Sequence, residues 1–215
     1  GVELNPSDIL ITTGGSEALL LTCLSILDPY TEVIIPEPYY PNYTTFVHAA
    51  GGVIRALPTN PWEGYRYAKR ERIESLITKN TRAIMITNPG NPTGVVLDQE
   101  EMRMIADIAK ENDLLLIADE VQCGNGRSGE LYAYMNFGIT PDIVSTAKGL
   151  AGGLPMGATL LGDKVKDVLG VGMHGSTFGG NPVCAAAALN VISRIDDDIL
   201  SGVKQKSKYI FEELS

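Results

Sequence analysis

Short β-rich runs alternate with amphipathic stretches along all 215 residues, and no other feature narrows the possible folds so far. ILITT (9–13), EVIIP (32–36), VIRAL (53–57), RAIMIT (82–87), LLLIAD (114–119), DIVSTA (142–147) and GATLLG (157–162) read as seven strands. Helical patterns lie between them at roughly 16–27, 41–50, 70–79, 98–112, 130–137, 164–168 and 182–195, with a last one over 197–214. Such alternation predicts an α/β fold in which helices cover both faces of a mainly parallel sheet, a three-layer α/β/α sandwich. No repeat, low-complexity tract or Gly/Ser linker divides the sequence, so residues 1–215 are expected to form one domain.

Charge and cysteine usage narrow the partners. A net charge of −9 argues against a nucleic-acid backbone or an anionic membrane, so an anionic ligand must be held by local dipoles or single side chains. Cys23, Cys123 and Cys184 lie far apart with no C-x-x-C spacing, which reads as reduced thiols of a cytoplasmic protein. His48 and His174 are too isolated to form a metal cluster, and the longest apolar runs are strand-sized, too short for a membrane span. No signal-peptide pattern stands at Gly1, where the chain reads as if opening mid-protein.

In sheets of this type ligands sit beyond the carboxyl ends of the strands, so the turns there are the places to look. TTGGSEALLL (12–21) runs from a strand through two glycines into a helix whose free N–H groups favour a phosphate; a plain turn with Ser16 as N-cap is the alternative. PEPYYPNY (36–43) gathers three tyrosines that could stack on a flat heteroaromatic ring or simply pack in a stiff loop. TNPGNPTGVV (87–96) forces a defined loop in which Asn88 and Asn91 offer amide hydrogens to a ligand oxygen.

LLLIADEVQCGNGRSG (114–129) ends an apolar strand in Asp119-Glu120, and a carboxylate there needs a cation or donors to stay charged. STAKGLAGG (145–153) ends the next strand in Lys148, the one charged residue between Asp142 and Gly162. Apolar surroundings would lower the pKa of that amine and make it a nucleophile toward carbonyls. A strand-end lysine, a strand-end aspartate, a phosphate turn and aromatic residues together describe a pyridoxal 5′-phosphate site. A nucleotide-binding domain is disfavoured, because GGSEAL matches neither G-x-x-x-x-G-K-[ST] nor G-x-G-x-x-G.

These stretches resemble the large domain of fold-type I pyridoxal-phosphate aminotransferases, in two successive styles. Over about 1–110, TTGGSEAL, PEPYYPNY and NPGNPTG are similar to class I enzymes of the aspartate aminotransferase kind. Over about 114–215, LLIADEVQCGNGRSG, PDIVSTAKGLAGGLPMGA and HGSTFGGNPVCAAAALNV resemble class III enzymes of the acetylornithine aminotransferase kind. By this resemblance Lys148 is the Schiff-base lysine and forms the internal aldimine, and Asp119 is the carboxylate paired with the ring nitrogen. Gly15, Ser16 and Glu17 match the phosphate turn, while Tyr40 and Val121 match the residues on the two ring faces. Asn91 and Gln122 match residues near the phenolic oxygen. Thr177 matches a threonine that reaches the phosphate of a neighbouring subunit, which implies a homodimer.

The implied activity is transfer of an amino group from an amino acid, acetylornithine or ornithine in style, to a 2-oxo acid. Three departures bear on it. Met156 stands where class I enzymes carry a phosphate-binding arginine, and no arginine of the chain falls in a motif matching the one that holds the substrate carboxylate. The N-terminal segment and small domain of either class are missing, so transamination is expected to be weak and poorly selective. The change of style near 100–117 implies a chimera or a minimised core. A non-catalytic cofactor-binding scaffold is the alternative reading.

Overall fold

The computed structural model describes residues 4–170 and 172–215; the first three residues of the class I-like stretch lie outside it. Among these residues seven strands form one sheet: β1 (Ile9–Thr12), β2 (Glu32–Pro36), β3 (Val53–Leu57), β4 (Thr81–Ile86), β5 (Leu115–Asp119), β6 (Ile143–Thr146) and β7 (Gly157–Leu161). Their order across the sheet is β1-β7-β6-β5-β4-β2-β3. The pairs β2–β3, β2–β4, β4–β5 and β5–β6 are parallel, whereas β7 runs antiparallel to both β1 and β6.

The reversal at β7 has a simple cause. Only residues 147–156 join β6 to β7, too short a connection for the crossover that a parallel neighbour needs. The same short connection carries Lys148.

Among the described residues six helices accompany the sheet: α1 (Gly15–Ile26), α2 (Asn42–Ala49), α3 (Arg70–Glu74), α4 (Gln99–Glu111), α5 (Pro182–Ile192) and α6 (Asp197–Leu214). The central strands are apolar on both faces because both are covered. Val33, Ile35, Ala83, Met85 and Ile117 pack with Leu19 of α1 and Phe46 of α2. The alternate residues Ile34, Ile84, Ile86 and Leu116 pack with Ile73 of α3 and Ile105 and Ile108 of α4. Period-two alternation thus feeds two cores, the three-layer sandwich expected from the sequence.

Helix starts follow capping chemistry. Asp98 accepts from the Glu101 N–H at 2.9 Å while Glu101 accepts from the Asp98 N–H at 2.8 Å, a reciprocal box that opens α4. Asn181, ahead of Pro182, and Asp196 cap α5 and α6 with their side chains.

Three helical expectations need correction. Residues 164–168 form only hydrogen-bonded turns, too few residues to offset helix nucleation. Of 130–137, only Ala133–Phe137 winds, as a 3-10 turn. The stretch 70–79 stops at Glu74; beyond it Ser75 Oγ bonds the Arg72 carbonyl and Thr81 Oγ1 takes the Thr78 N–H, local bonds that compete with the helix. No helix among the described residues is long and apolar enough to cross a membrane.

Candidate functional site

A cleft of about 560 Å³ opens at the carboxyl ends of β4, β5 and β6. Gly15, Ser16, Tyr40, Asn91, Asp119, Val121, Gln122 and Lys148 all line it. The sequence scattered these residues over more than a hundred positions, and the parallel strands return them to one edge.

Asp119 closes β5 and is only 8% exposed. Its Oδ1 accepts the Val121 N–H at 3.0 Å, and its Oδ2 accepts the hydroxyl of buried Tyr43. Burial pushes the Asp119 pKa up; the Tyr43 and Val121 hydrogen bonds, and more weakly the Lys148 charge, oppose it. Burial, reinforced by the neighbouring Asp119 charge, pushes the Tyr43 phenol far above its ordinary range, so it stays a donor. No lysine, arginine or histidine forms an ion pair with Asp119 among the described residues. A buried carboxylate with two neutral donors and no paired cation is suited to receive a cationic group from a ligand.

Glu120 turns the other way and serves the scaffold. Its carboxylate, 2% exposed, accepts the N–H groups of Ala133 and Tyr134 at 2.9 and 2.8 Å and the Cys123 thiol at 3.0 Å. This holds the loop between β5 and the 3-10 turn at 133–137 against the strand end.

The N-terminus of α1 faces the cleft. Gly14 supplies no side-chain cap, and the first helical bond runs from the Ala18 N–H to the Gly14 carbonyl, so the N–H groups of Gly15, Ser16 and Glu17 precede it. Helix dipole and free donors together favour an anion there. Ser16, weighed as N-cap from sequence, lies inside the helix. The Glu17 side chain folds back instead, its Oε2 accepting from the Thr13 N–H at 2.5 Å and hydroxyl at 2.8 Å. Burial alone would raise the Glu17 pKa, but these donors bring it below its ordinary value.

Gly15 is required for this approach. A Cβ there would sit 2.7 Å from Val121 Cγ2 and 3.0 Å from Cγ1. Gly15→Ala is therefore expected to cost about 1–3 kcal/mol through overpacking and to push the helix start away from the cleft. Thermal melting, with titration by inorganic phosphate, checks both effects.

Lys148 departs from expectation. Its side chain is exposed rather than held in apolar surroundings, because the cleft is open at this edge; the neighbours Ala147 and Leu150 are buried without covering it. Its Nζ donates to Gln122 Oε1. Its backbone has φ +48°, in the left-handed region that non-glycine residues rarely occupy.

Other assignments divide. Tyr40 lines the cleft and meets Tyr43 edge-on, with ring centroids 5.6 Å apart. Asn91 is exposed at the rim, but Asn88 is not available to a ligand: its amide donates to the Leu97 carbonyl at 3.2 Å and accepts the Leu97 N–H at 2.9 Å. Met156 lines the cleft as well. Thr177 is exposed on the loop before α5, outside the cleft-lining set. Sequence reasoning missed Tyr43 as the partner of Asp119; it was one tyrosine among three in PEPYYPNY, with no local signal pointing across 76 residues.

Comparison with known proteins agrees with this geometry. Residues 41–215 match the family Aminotransferase class-III. The succinylornithine transaminase of Yersinia pseudotuberculosis is 42% identical over 144 residues, covering 66% of this chain and 35% of that protein. The acetylornithine aminotransferase of Methanocaldococcus jannaschii is 39% identical over 156 residues, covering 70% and 39%. The chain thus spans little more than a third of the length of these relatives. Among solved structures, Plasmodium falciparum ornithine δ-aminotransferase superposes with a TM-score of 0.72 at 26% identity, over 89% of this chain and 49% of that one. A Thermus thermophilus aspartate aminotransferase mutant gives 0.66 at 26% identity, over 100% and 57%. With its strand-end carboxylate, lysine and open helix start in one cleft, the chain belongs to the class III aminotransferases, a family dependent on pyridoxal phosphate.

Proposed function

We propose that this chain is the cofactor-holding core of an aminotransferase, built around Lys148 and Asp119. The observation that carries the reading is the convergence of an open helix N-terminus, a buried carboxylate without a paired cation and an exposed amine on one cleft. The residues fit pyridoxal phosphate: the N–H groups of Gly15, Ser16 and Glu17 would take its phosphate, Tyr40 and Val121 its ring faces, Asn91 and Gln122 its phenolic edge. Asp119 would face its ring nitrogen, and Lys148 would hold it covalently through Nζ. When bound, that cofactor supplies a carbonyl carbon for amine exchange and a cationic ring that accepts the electron pair released at a substrate Cα.

The chain's own residues account for the rest. Tyr43 and Val121 hold the Asp119 carboxylate in place, so the anion is positioned before any ligand arrives. Lys148 Nζ would serve as the base that takes the proton from the substrate Cα and as the acid that returns it. Gln122 accepts a hydrogen bond from Nζ and keeps the amine directed into the cleft.

The substrates in this reading are an amino acid and a 2-oxo acid. The names of the relatives favour an acetylornithine- or ornithine-like donor with an ω-amine. No arginine lines the cleft among the described residues, so a substrate carboxylate finds no guanidinium within it. Losing such oriented binding removes part of the roughly 7–11 kcal/mol that proximity can supply, and transamination would be weak and poorly selective.

Met173, Phe178, Val183 and Leu189, on either side of Thr177 in the sequence, are exposed apolar residues suited to covering by a second copy of the chain, with Thr177 reaching its neighbour's phosphate. Three free, buried cysteines fit a reducing, cytoplasmic compartment. Class I-like motifs followed by class III-like ones suggest a mosaic joined near 100–117, while the class III family match itself begins at residue 41.

The test is an absorbance spectrum with added pyridoxal phosphate. A new band that disappears when borohydride reduction labels Lys148 is expected, and conversion to the amine form on adding an L-amino acid would separate an enzyme from a passive binder. A chain that leaves the cofactor spectrum unchanged overturns the reading.

A further inference from the structure

We propose that Asn125 is a positioning residue for Lys148: its side-chain amide clamps the backbone just before the lysine and fixes where the amine can attach the cofactor. Asn125 Nδ2 donates to Thr146 Oγ1 and to the Ala147 carbonyl, each at 3.1 Å. The Ala147 carbonyl also accepts the Leu150 N–H at 3.0 Å. Both lone pairs of the carbonyl preceding Lys148 are therefore used, one by the 3-10 turn over Lys148–Ala151 and one by Asn125.

The next residue is Lys148 at φ +48°. A non-glycine residue persists in that region only where its surroundings over-determine it, and the doubly bonded Ala147 carbonyl provides that constraint.

The orientation of the amide is fixed by chemistry. A carbonyl can only accept, so Nδ2 must face Ala147, and Oδ1 is then buried without a partner. A leucine of similar volume would leave no orphaned acceptor, so packing alone favours an apolar side chain here. What the amide adds is two donors, and both act on the two residues before Lys148.

The loop that presents Asn125 is itself fixed. Asn125 has φ +57°, which asparagine tolerates better than most residues. Beside it, a Cβ on Gly124 would lie 2.7 Å from the Glu120 carbonyl oxygen. The Glu120 carboxylate anchors one side of the loop, and Lys204 of α6 pairs with Glu130 at 2.5 Å on the other. Asn125 thus bears on Lys148 from a rigid support.

Asn125 acts in this way only if Lys148 holds the cofactor, so it rests on the function proposed above. The test mixes pyridoxal phosphate with the whole chain, wild type beside Asn125→Leu and the isosteric Asn125→Asp. Attachment at Lys148 is trapped by borohydride and read by peptide mass spectrometry, and each cofactor-free chain is melted. Non-covalent affinity is measured in Lys148→Ala with and without Asn125→Leu.

Attachment is expected to slow about tenfold in both Asn125 variants, as misplacement of a reacting group does. Non-covalent affinity should hold within about twofold, and melting should shift by only about 3 °C or less. Asn125→Asp keeps the shape but turns only acceptors to the carbonyl, so it should slow attachment at least as much as leucine. Wild-type attachment rates in either variant, or an equal loss of non-covalent affinity, would overturn the positioning role. No attachment at Lys148 in the wild type defeats the proposed function itself, and this role with it.

Discussion

Lys148→Ala is expected to lower amine transfer by about 10²–10⁴-fold, the usual contribution of a positioned acid–base group, while the chain keeps its fold. Folding should be nearly indifferent because the side chain is exposed and its hydrogen bond goes to Gln122, itself exposed. Alanine retains a Cβ, so the demand placed on the backbone at φ +48° does not change. Melting should therefore move by no more than a surface substitution does, about 0.5 kcal/mol. Lys148→Arg sharpens the result: it keeps a positive charge in the cleft but offers no neutral amine, so it should lose the reaction as fully as alanine. Borohydride trapping followed by peptide mapping, alongside a steady-state assay with an ornithine-like donor and 2-oxoglutarate, reads both effects. Substantial activity in Lys148→Ala, or trapping at another lysine, would remove Lys148 from the centre of the site.

Some of this site was legible in the sequence, for physical reasons. Lys148 and Asp119 stood out because each broke a local rule: a carboxylate at the end of an apolar strand, and an amine among small apolar residues. The strands of the parallel part of the sheet were legible because burial on both faces leaves continuous apolar runs, which DIVSTA and RAIMIT display. Orientation was harder. Nothing in GATLLG announces that β7 is antiparallel; the length of the connection before it decides, and that depends on where β6 ends.

The supporting contacts were invisible for a different reason. Tyr43 meets Asp119 across 76 residues and Asn125 meets Ala147 across 22, and neither pairing follows a helical or strand period. Asn88 shows the converse. Its loop looked built for a ligand, yet its amide closes a backbone turn on Leu97. Residue type and spacing identify what chemistry is available, whereas partner geometry decides which groups remain free to perform it.

Asp119→Asn should nearly abolish amine transfer yet make the cofactor-free chain more stable at neutral pH. In the proposed function, Asp119 would face the ring nitrogen, and asparagine could not stabilise a cationic ring there, so a loss of about 10²-fold or more is expected. The stability gain follows from the sign of the Asp119 shift. Its pKa in the folded chain is raised by burial above the ordinary carboxylate value, so ionisation disfavours the fold. Asparagine keeps the Val121 N–H on Oδ1 and can donate through Nδ2 to the Tyr43 oxygen; the Tyr43 hydroxyl proton then loses its acceptor, a cost set against the charge that no longer has to be desolvated.

The melting temperature should rise at neutral pH. That advantage should be complete above the folded-state pKa of Asp119 and shrink as pH falls through it. It should vanish below about pH 4, where the carboxyl is neutral in the unfolded chain as well. Thermal melts of both proteins across pH 3–8 measure the difference directly. A variant less stable than wild type at neutral pH, or a difference that grows toward acid, would mean that the Tyr43 and Val121 hydrogen bonds outweigh burial. Asp119 would then be a structural carboxylate first.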